Sequence, residues 1–168
     1  MPALPARRRV LRAANLGDSG FLIVRDGQVF SHSPSQQHRF NMPFQIGPFG
    51  EDSVDQPEDS ERFQLAMHPG DIIVAGTDGV FDNAFDEEIL SVVLSVIAKD
   101  AKATPRQVAQ TLALLARRRH AEDSTFNSPF AVEAAKAGYR FQGGKLDDIT
   151  VVVSFCRTEA DASLPAKL

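Results

Sequence analysis

The chain has 168 residues, 43% hydrophobic and 24% charged, ordinary values for one globular domain that exclude wholesale disorder and coiled coil. Lys and Arg number 18 against 22 Asp and Glu, a net charge of −4 that leaves no basic excess to neutralise a nucleic-acid backbone. A single cysteine, Cys156, excludes an internal disulfide framework, and the longest nearly apolar run, Ile89 to Ala98, has ten residues where a membrane span needs about 20.

Arg7, Arg8 and Arg9, with no acid before Asp18, have the charge pattern of an organelle transit peptide. They lack its serines and its long amphipathic stretch, so a solvated start to the first strand is the favoured reading. Val10 to Asn15 is the first expected strand. Phe21 to Val24 and Gln28 to His32 follow as a hairpin, because Asp26-Gly27 between two apolar runs suits a type I′ turn. Ser33 to Ser60, with four prolines and five acids, reads as a long surface loop. Phe63 to Met67 and Asp71 to Ala75 are strands. The unbroken run Ile72 to Ala75 marks the second as buried on both faces.

Three helices come next. Asp86 is the expected cap of the first, with Ile89, Val92, Val93, Val96 and Ile97 on one face. Thr104-Pro105-Arg106-Gln107 carries a capping box with proline at the first helical position, and Val108, Leu112 and Leu115 form the stripe behind it. Ser128-Pro129 opens the third helix and Gly138 ends it. Ile149 to Phe155 is a last strand, and the polar stretch from Thr158 to Leu168 is expected to fray. Strands, then helices, then one strand make an α+β fold with a largely antiparallel sheet.

Several acids sit beside glycines at strand ends: Asp18 in Gly17-Asp18-Ser19-Gly20, Asp78 and Asp82 in Gly76-Thr77-Asp78-Gly79-Val80-Phe81-Asp82, and Asp147 and Asp148 after Gly144-Lys145-Leu146. A carboxylate at the mouth of a buried strand is held rigidly, as a metal ligand must be. If these acids converge, their repulsion raises their pKa values or draws in a cation, and an oxygen-only set selects Mg²⁺ or Mn²⁺ over softer ions. Each motif taken alone also reads as a turn or cap, and spacing does not show that they meet. Other chemistries fit worse. Cys156 lies late in a strand with Arg157 beside it. Lys145 after Gly143-Gly144 is a P-loop fragment with the wrong spacing. The four histidines show no paired ligand spacing, and Ser19 has no His-Asp partners. Arg117, Arg118, Arg119 and His120 are explained by the negative end of their helix.

In order, Asn15 to Gly20, Gly70 to Asp82 and Lys145 to Val152 resemble the metal-dependent protein Ser/Thr phosphatases (PPM, type 2C), over a span from about Ala13 to about Phe155. Gln36 to Gln45 and Ser128 to Gly144 are similar to the organelle-associated branch. The resemblance implies part of an α-β-β-α sandwich, with largely antiparallel sheets and flanking helices. Residues 1–12 would be a lead-in, 13–156 the C-terminal part of the phosphatase domain, and 157–168 a flexible tail. It implies hydrolysis of phosphoserine and phosphothreonine by a metal-activated water. The complete domain would hold two Mg²⁺ or Mn²⁺ ions, with a more weakly held third. Asp78 and Asp147 match core metal ligands, Asp18 and Asp82 match ligands of the third ion, and Gly79 and Asp148 stand behind them. Phosphoprotein is the implied partner, without nucleic acid or membrane span. The complete domain would be a monomer, in mitochondrion or chloroplast, or otherwise the cytoplasm.

The chain departs from the family at its first motif, Asp-Gly-x-Gly, whose Asp bridges both metals. Here Asp-Gly occurs at Asp26 and Asp78, followed by Gln28 and Val80. The chain is therefore expected to be weakly active or inactive alone. A non-catalytic phosphatase-like binding module and a truncated product are the alternatives.

Overall fold

The computed structural model describes residues 9–47, 55–100, 102–121 and 126–158. Arg7, Arg8 and the expected tail beyond Thr158 lie outside the described residues. Strands β2 (Gly20–Arg25), β3 (Gln28–His32), β7 (Ile72–Gly76) and β8 (Val151–Phe155) form an antiparallel sheet in the order β3-β2-β7-β8. Strands β1 (Arg9–Asn15) and β6 (Glu61–Met67) pair antiparallel in a second, two-stranded sheet.

The alternation of side chains across each strand divides the core in two. Phe21, Ile23 and Ile73 point toward the two-stranded sheet and pack on Met67, Leu11, Ala13, Phe63 and Leu65. The rings of Phe21 and Phe63 meet edge to face at 5.0 Å. Leu22, Val24, Ile72 and Val74 point the other way, onto Val80, Ile89, Val93, Val108 and Leu112 of the helices. Sheet, sheet and helices thus make three packed layers, the expected α+β arrangement.

The helices are α1 (Asp78–Phe81), α2 (Asp86–Lys99), α3 (Pro105–Ala121) and α4 (Pro129–Lys136). Three of them start where the sequence signals a start, with local differences. The Ser128 hydroxyl accepts from Ala131 N at 3.1 Å, as a cap should. Thr104 and Gln107 exchange the capping-box bonds: Thr104 N donates to Gln107 Oε1 at 2.7 Å and Gln107 N to Thr104 Oγ1 at 3.3 Å. Helix α2 differs. Its cap position is Phe85, whose backbone N–H donates to Glu88 Oε2 at 3.1 Å, while Asp86 turns its carboxylate to His32 Nδ1 at 2.9 Å. Asp26 and Gly27 both have positive φ, 50° and 75°, as the type I′ turn requires.

The described parts of the polar stretch 33–60 are more structured than a bare loop. Strands β4 (Gln37–Arg39) and β5 (Met42–Pro43) form a small hairpin, and Pro57–Asp59 is a 3₁₀ turn. Asn41 makes the hairpin turn with φ 55°. Asp55 is buried and accepts from His38 Nε2 at 3.0 Å and Gln45 N at 2.9 Å, which ties the stretch together.

One ion pair fixes the end of the sandwich away from the acid cluster. Asp71 is 1% exposed, and its two carboxylate oxygens accept from Arg25 Nε and Nη2 at 2.8 and 2.7 Å. His68 N adds a third bond at 2.6 Å. The Arg25 hydrogen bonds, opposed by burial, hold the Asp71 carboxyl below its usual range. The stability this contributes is complete above the unfolded carboxyl value, about 3.9, and is lost as pH falls through the lower folded value. Asp71→Ala is expected to cost about 1–3 kcal/mol, because His68 N loses its buried partner while Arg25 keeps its bond to the Ala66 carbonyl. Asp71→Asn is expected to flatten the loss of stability on acidification, read from urea midpoints at about pH 6 and pH 3.

Candidate functional site

The acids singled out by the sequence collect at one end of the four-stranded sheet. Central strand β7 ends at Gly76, and the chain turns at once into the four-residue helix α1. Asp78 opens that helix and Asp82 follows its last residue, four positions on and so on the same side. The Asp147 segment crosses beside it. Thr77 Oγ1 donates to the Asp148 carbonyl at 2.8 Å, and Thr150 N donates to Thr77 Oγ1 at 3.0 Å. That side-chain bond takes the place of a ladder bond, and regular pairing of β8 starts at Val151 rather than at the expected Ile149.

Lys145 is the hub. Its Nζ donates to Asp78 Oδ2 at 2.7 Å and to Asp82 Oδ2 at 2.7 Å, and lies 3.1 Å from Asp147 Oδ2. The second oxygen of Asp78 accepts from Gly79 N at 2.9 Å, and that of Asp147 accepts from Asp148 N at 2.9 Å. Gly79 and Asp148 therefore stand behind the acids through their backbones, and the Asp148 residue itself is exposed. Asp18 completes the group from the β1–β2 turn, within electrostatic reach of Asp78, Lys145 and Asp147.

Charge in this cluster is balanced by burial. Burial, aided by Asp78, raises the Asp18 carboxyl. Burial also outweighs the Lys145 ammonium at Asp82, whose carboxyl is pushed up to about 6. Asp147 feels burial as well, but its bond to Lys145 leaves it below the usual range. Burial works against the Lys145 charge, and its carboxylate partners overcome it, so the ammonium holds its proton more tightly than a free lysine.

Two residues essential to this arrangement carry no sequence signal of their role. Lys145 reads as a P-loop fragment, yet it gathers three acids. Asn83 is fully buried and staples the two acid-bearing segments. Its Nδ2 donates to the carbonyls of Gly79 at 3.0 Å and Lys145 at 2.9 Å, and its Oδ1 accepts from Lys145 N at 2.9 Å. The segments also touch at Gly79, where an added Cβ would lie 2.5 Å from the Asp148 carbonyl oxygen. Gly79→Ala is expected to push them apart and to cost about 1–3 kcal/mol, measured as a fall in urea midpoint. Arg119 does more than face its helix end: it pairs with Glu88 and lies 3.8 Å over the Phe126 ring.

Beside Asp18 and Asp82 lies a cavity of about 190 Å³, walled by Phe40, Phe81 and Phe130 with His32 and Glu133 on its rim. Among the described residues, no group of three or more His, Cys, Asp or Glu side chains is set to hold a metal ion. The carboxylates radiate around an ammonium instead, and Lys145 Nζ stands where a cation is wanted. The donor chemistry fits a hard divalent ion: four carboxylates, oxygen only, with the second oxygen of Asp78 and of Asp147 anchored by a backbone N–H.

Comparison with known proteins shows the family and the fold. The family model described as Stage II sporulation protein E (SpoIIE) matches residues 4–154. "Probable protein phosphatase 2C 80" of Arabidopsis thaliana is 50% identical over 145 residues, which cover 86% of this chain and 34% of that protein. The "Protein phosphatase PTC7 homolog" of Homo sapiens is 40% identical over 158 residues, 90% of this chain and 51% of that protein. The chain thus spans about a third to a half of the length of these curated relatives. Among solved structures, the photosystem II phosphatase PBCP is 34% identical with a TM-score of 0.75, covering 87% of this chain and 58% of that one. The match to the SpoIIE family over nearly all of the chain, together with these relatives and this fold, shows that the chain belongs to the PPM family of type 2C protein phosphatases.

Proposed function

We propose that this chain supplies one part of the active site of a metal-dependent protein Ser/Thr phosphatase, as the C-terminal part of its domain. The observation that carries this reading is the convergence of Asp78, Asp82 and Asp147, up to 69 positions apart (147 − 78), on one cation. Asp78 and Asp147 would hold a divalent ion, Mg²⁺ or Mn²⁺, and Asp18 and Asp82 a further one. Bound there, the metal would supply positive charge that activates water and stabilises the phosphoryl transition state. The chain's own residues do the positioning. Gly79 N and Asp148 N each occupy one oxygen of a ligand, which fixes how the other is presented. Asn83 holds the two segments in register, and Phe40, Phe81 and Phe130 wall the cavity beside Asp18. Phosphoprotein is the substrate class. An organelle setting, plastid or mitochondrion, belongs to the same proposal; the likeness to a photosystem II phosphatase bears on the plastid alternative alone. Imaging of a fluorescent fusion of the full gene product tests that setting.

The bridging Asp-Gly-x-Gly carboxylate does not occur in this chain. Losing one member of a cooperating site costs orders of magnitude in rate. A phosphothreonine peptide with Mn²⁺ is the test. Slow phosphate release that needs Mn²⁺ and disappears in Asp78→Asn is expected. Release that survives chelation or Asp78→Asn would overturn the reading. Peptide binding without release would favour a non-catalytic module.

A further inference from the structure

Resting on the metal reading above, we infer that Lys145 is an internal counter-ion to these acids and must be displaced from them before a divalent ion can bind. The oxygen inventory leads there. Asp78 spends Oδ1 on Gly79 N and Asp147 spends Oδ1 on Asp148 N. The remaining oxygen of each, Oδ2, faces Lys145 Nζ, as does Asp82 Oδ2. A divalent ion held by Asp78 and Asp147 needs the oxygens that the ammonium now uses. Ammonium and metal are both cations, so they compete for the pocket rather than share it.

The position of Lys145 is not an accident of a long flexible side chain. Its backbone is stapled on both sides by Asn83, with N donating to Oδ1 and the carbonyl accepting from Nδ2. Gly144 before it fits only without a side chain: a Cβ there would lie 2.4 Å from the Arg119 carbonyl oxygen and 2.6 Å from Asn83 Oδ1. The side chain itself is 17% exposed, and Phe130 covers it with its ring centre 5.1 Å from Nζ. The loop is built to deliver this ammonium to these acids. Without it, several carboxylates would face one another across a partly buried pocket. The device holds the acids together and sets a threshold for metal: binding must overcome three charge-assisted contacts, which weakens it by at least about tenfold.

The test compares the full chain with Lys145→Met, which keeps the bulk and removes the charge. In chelator, Lys145→Met is expected to melt at a lower temperature than the parent, with a deficit that shrinks in high salt. By calorimetry it is expected to bind Mn²⁺ at least about tenfold more tightly. Lys145→Gln serves in its place if the Met variant does not fold. A second measurement needs no variant: acylation of Lys145 by an amine-reactive reagent, followed by mass spectrometry, should accelerate when Mn²⁺ is added. Equal or weaker Mn²⁺ binding by the variants, or labelling indifferent to Mn²⁺, would overturn the inference and leave the phosphatase reading standing. Failure of parent and variants alike to bind Mn²⁺ would overturn the metal reading and this inference with it.

Discussion

Replacing Asp78 by Asn is expected to abolish detectable Mn²⁺ binding while the protein stays folded. The amide keeps the shape of the carboxylate and can still accept from Gly79 N, so helix α1 is not disturbed. What disappears is the negative oxygen aimed at the cation, and a hard divalent ion has little affinity for a neutral amide in its place. The accompanying change in metal-free stability should be about 1 kcal/mol or less, because the pair with Lys145 is partly open to solvent. Asp147→Asn should behave alike, with its contact to Lys145 already the longer at 3.1 Å. In a polypeptide that also carries the missing bridging carboxylate, either change should lower phosphatase rate by roughly four orders of magnitude. Calorimetry and thermal melts on the same samples separate lost binding from lost folding.

Asn83→Leu is expected to weaken metal binding by another route, because the site comes apart. The two side chains are close in size, so little cavity forms. The carbonyl of Gly79, buried, and the backbone N–H and carbonyl of Lys145, part-buried, are left without their partner. A buried orphan costs about 1–3 kcal/mol and part-buried ones less, so a loss of about 2 kcal/mol or more is expected in urea denaturation. Because the Asn83 side chain bonds to backbone and not to an acid side chain, a simultaneous drop in Mn²⁺ affinity would show that the staple between α1 and the Lys145 segment sets the site's geometry.

The acids were legible because glycine-flanked carboxylates at strand ends have a local signature. Asp18, Asp78, Asp82 and Asp147 could be named from sequence, and the fold brings them together. Lys145 and Asn83 were not legible, since their roles exist only once segments 62 positions apart have docked. The same distinction holds for helix starts. Ser128 and Thr104 cap as read, because the bond each makes is with a residue three positions on. Asp86 does not, because His32, 54 positions away, takes its carboxylate. Strand β8 begins late because Thr77, 73 positions away, takes the Thr150 N–H. Local chemistry is written in neighbouring residues, whereas competition from distant partners is not. The hairpin inside 33–60 is an exception on the other side: Asn41 carried a local turn signal that the prolines and acids around it obscured.

Anomalous scattering from crystals of the chain grown with Mn²⁺ addresses the metal centre most directly. A manganese peak beside the Oδ2 atoms of Asp78 and Asp147 is expected, with the Lys145 ammonium turned out of the pocket. Crystals saturated with Mn²⁺ that show no peak there, with Lys145 still bonded to all three carboxylates, would contradict it.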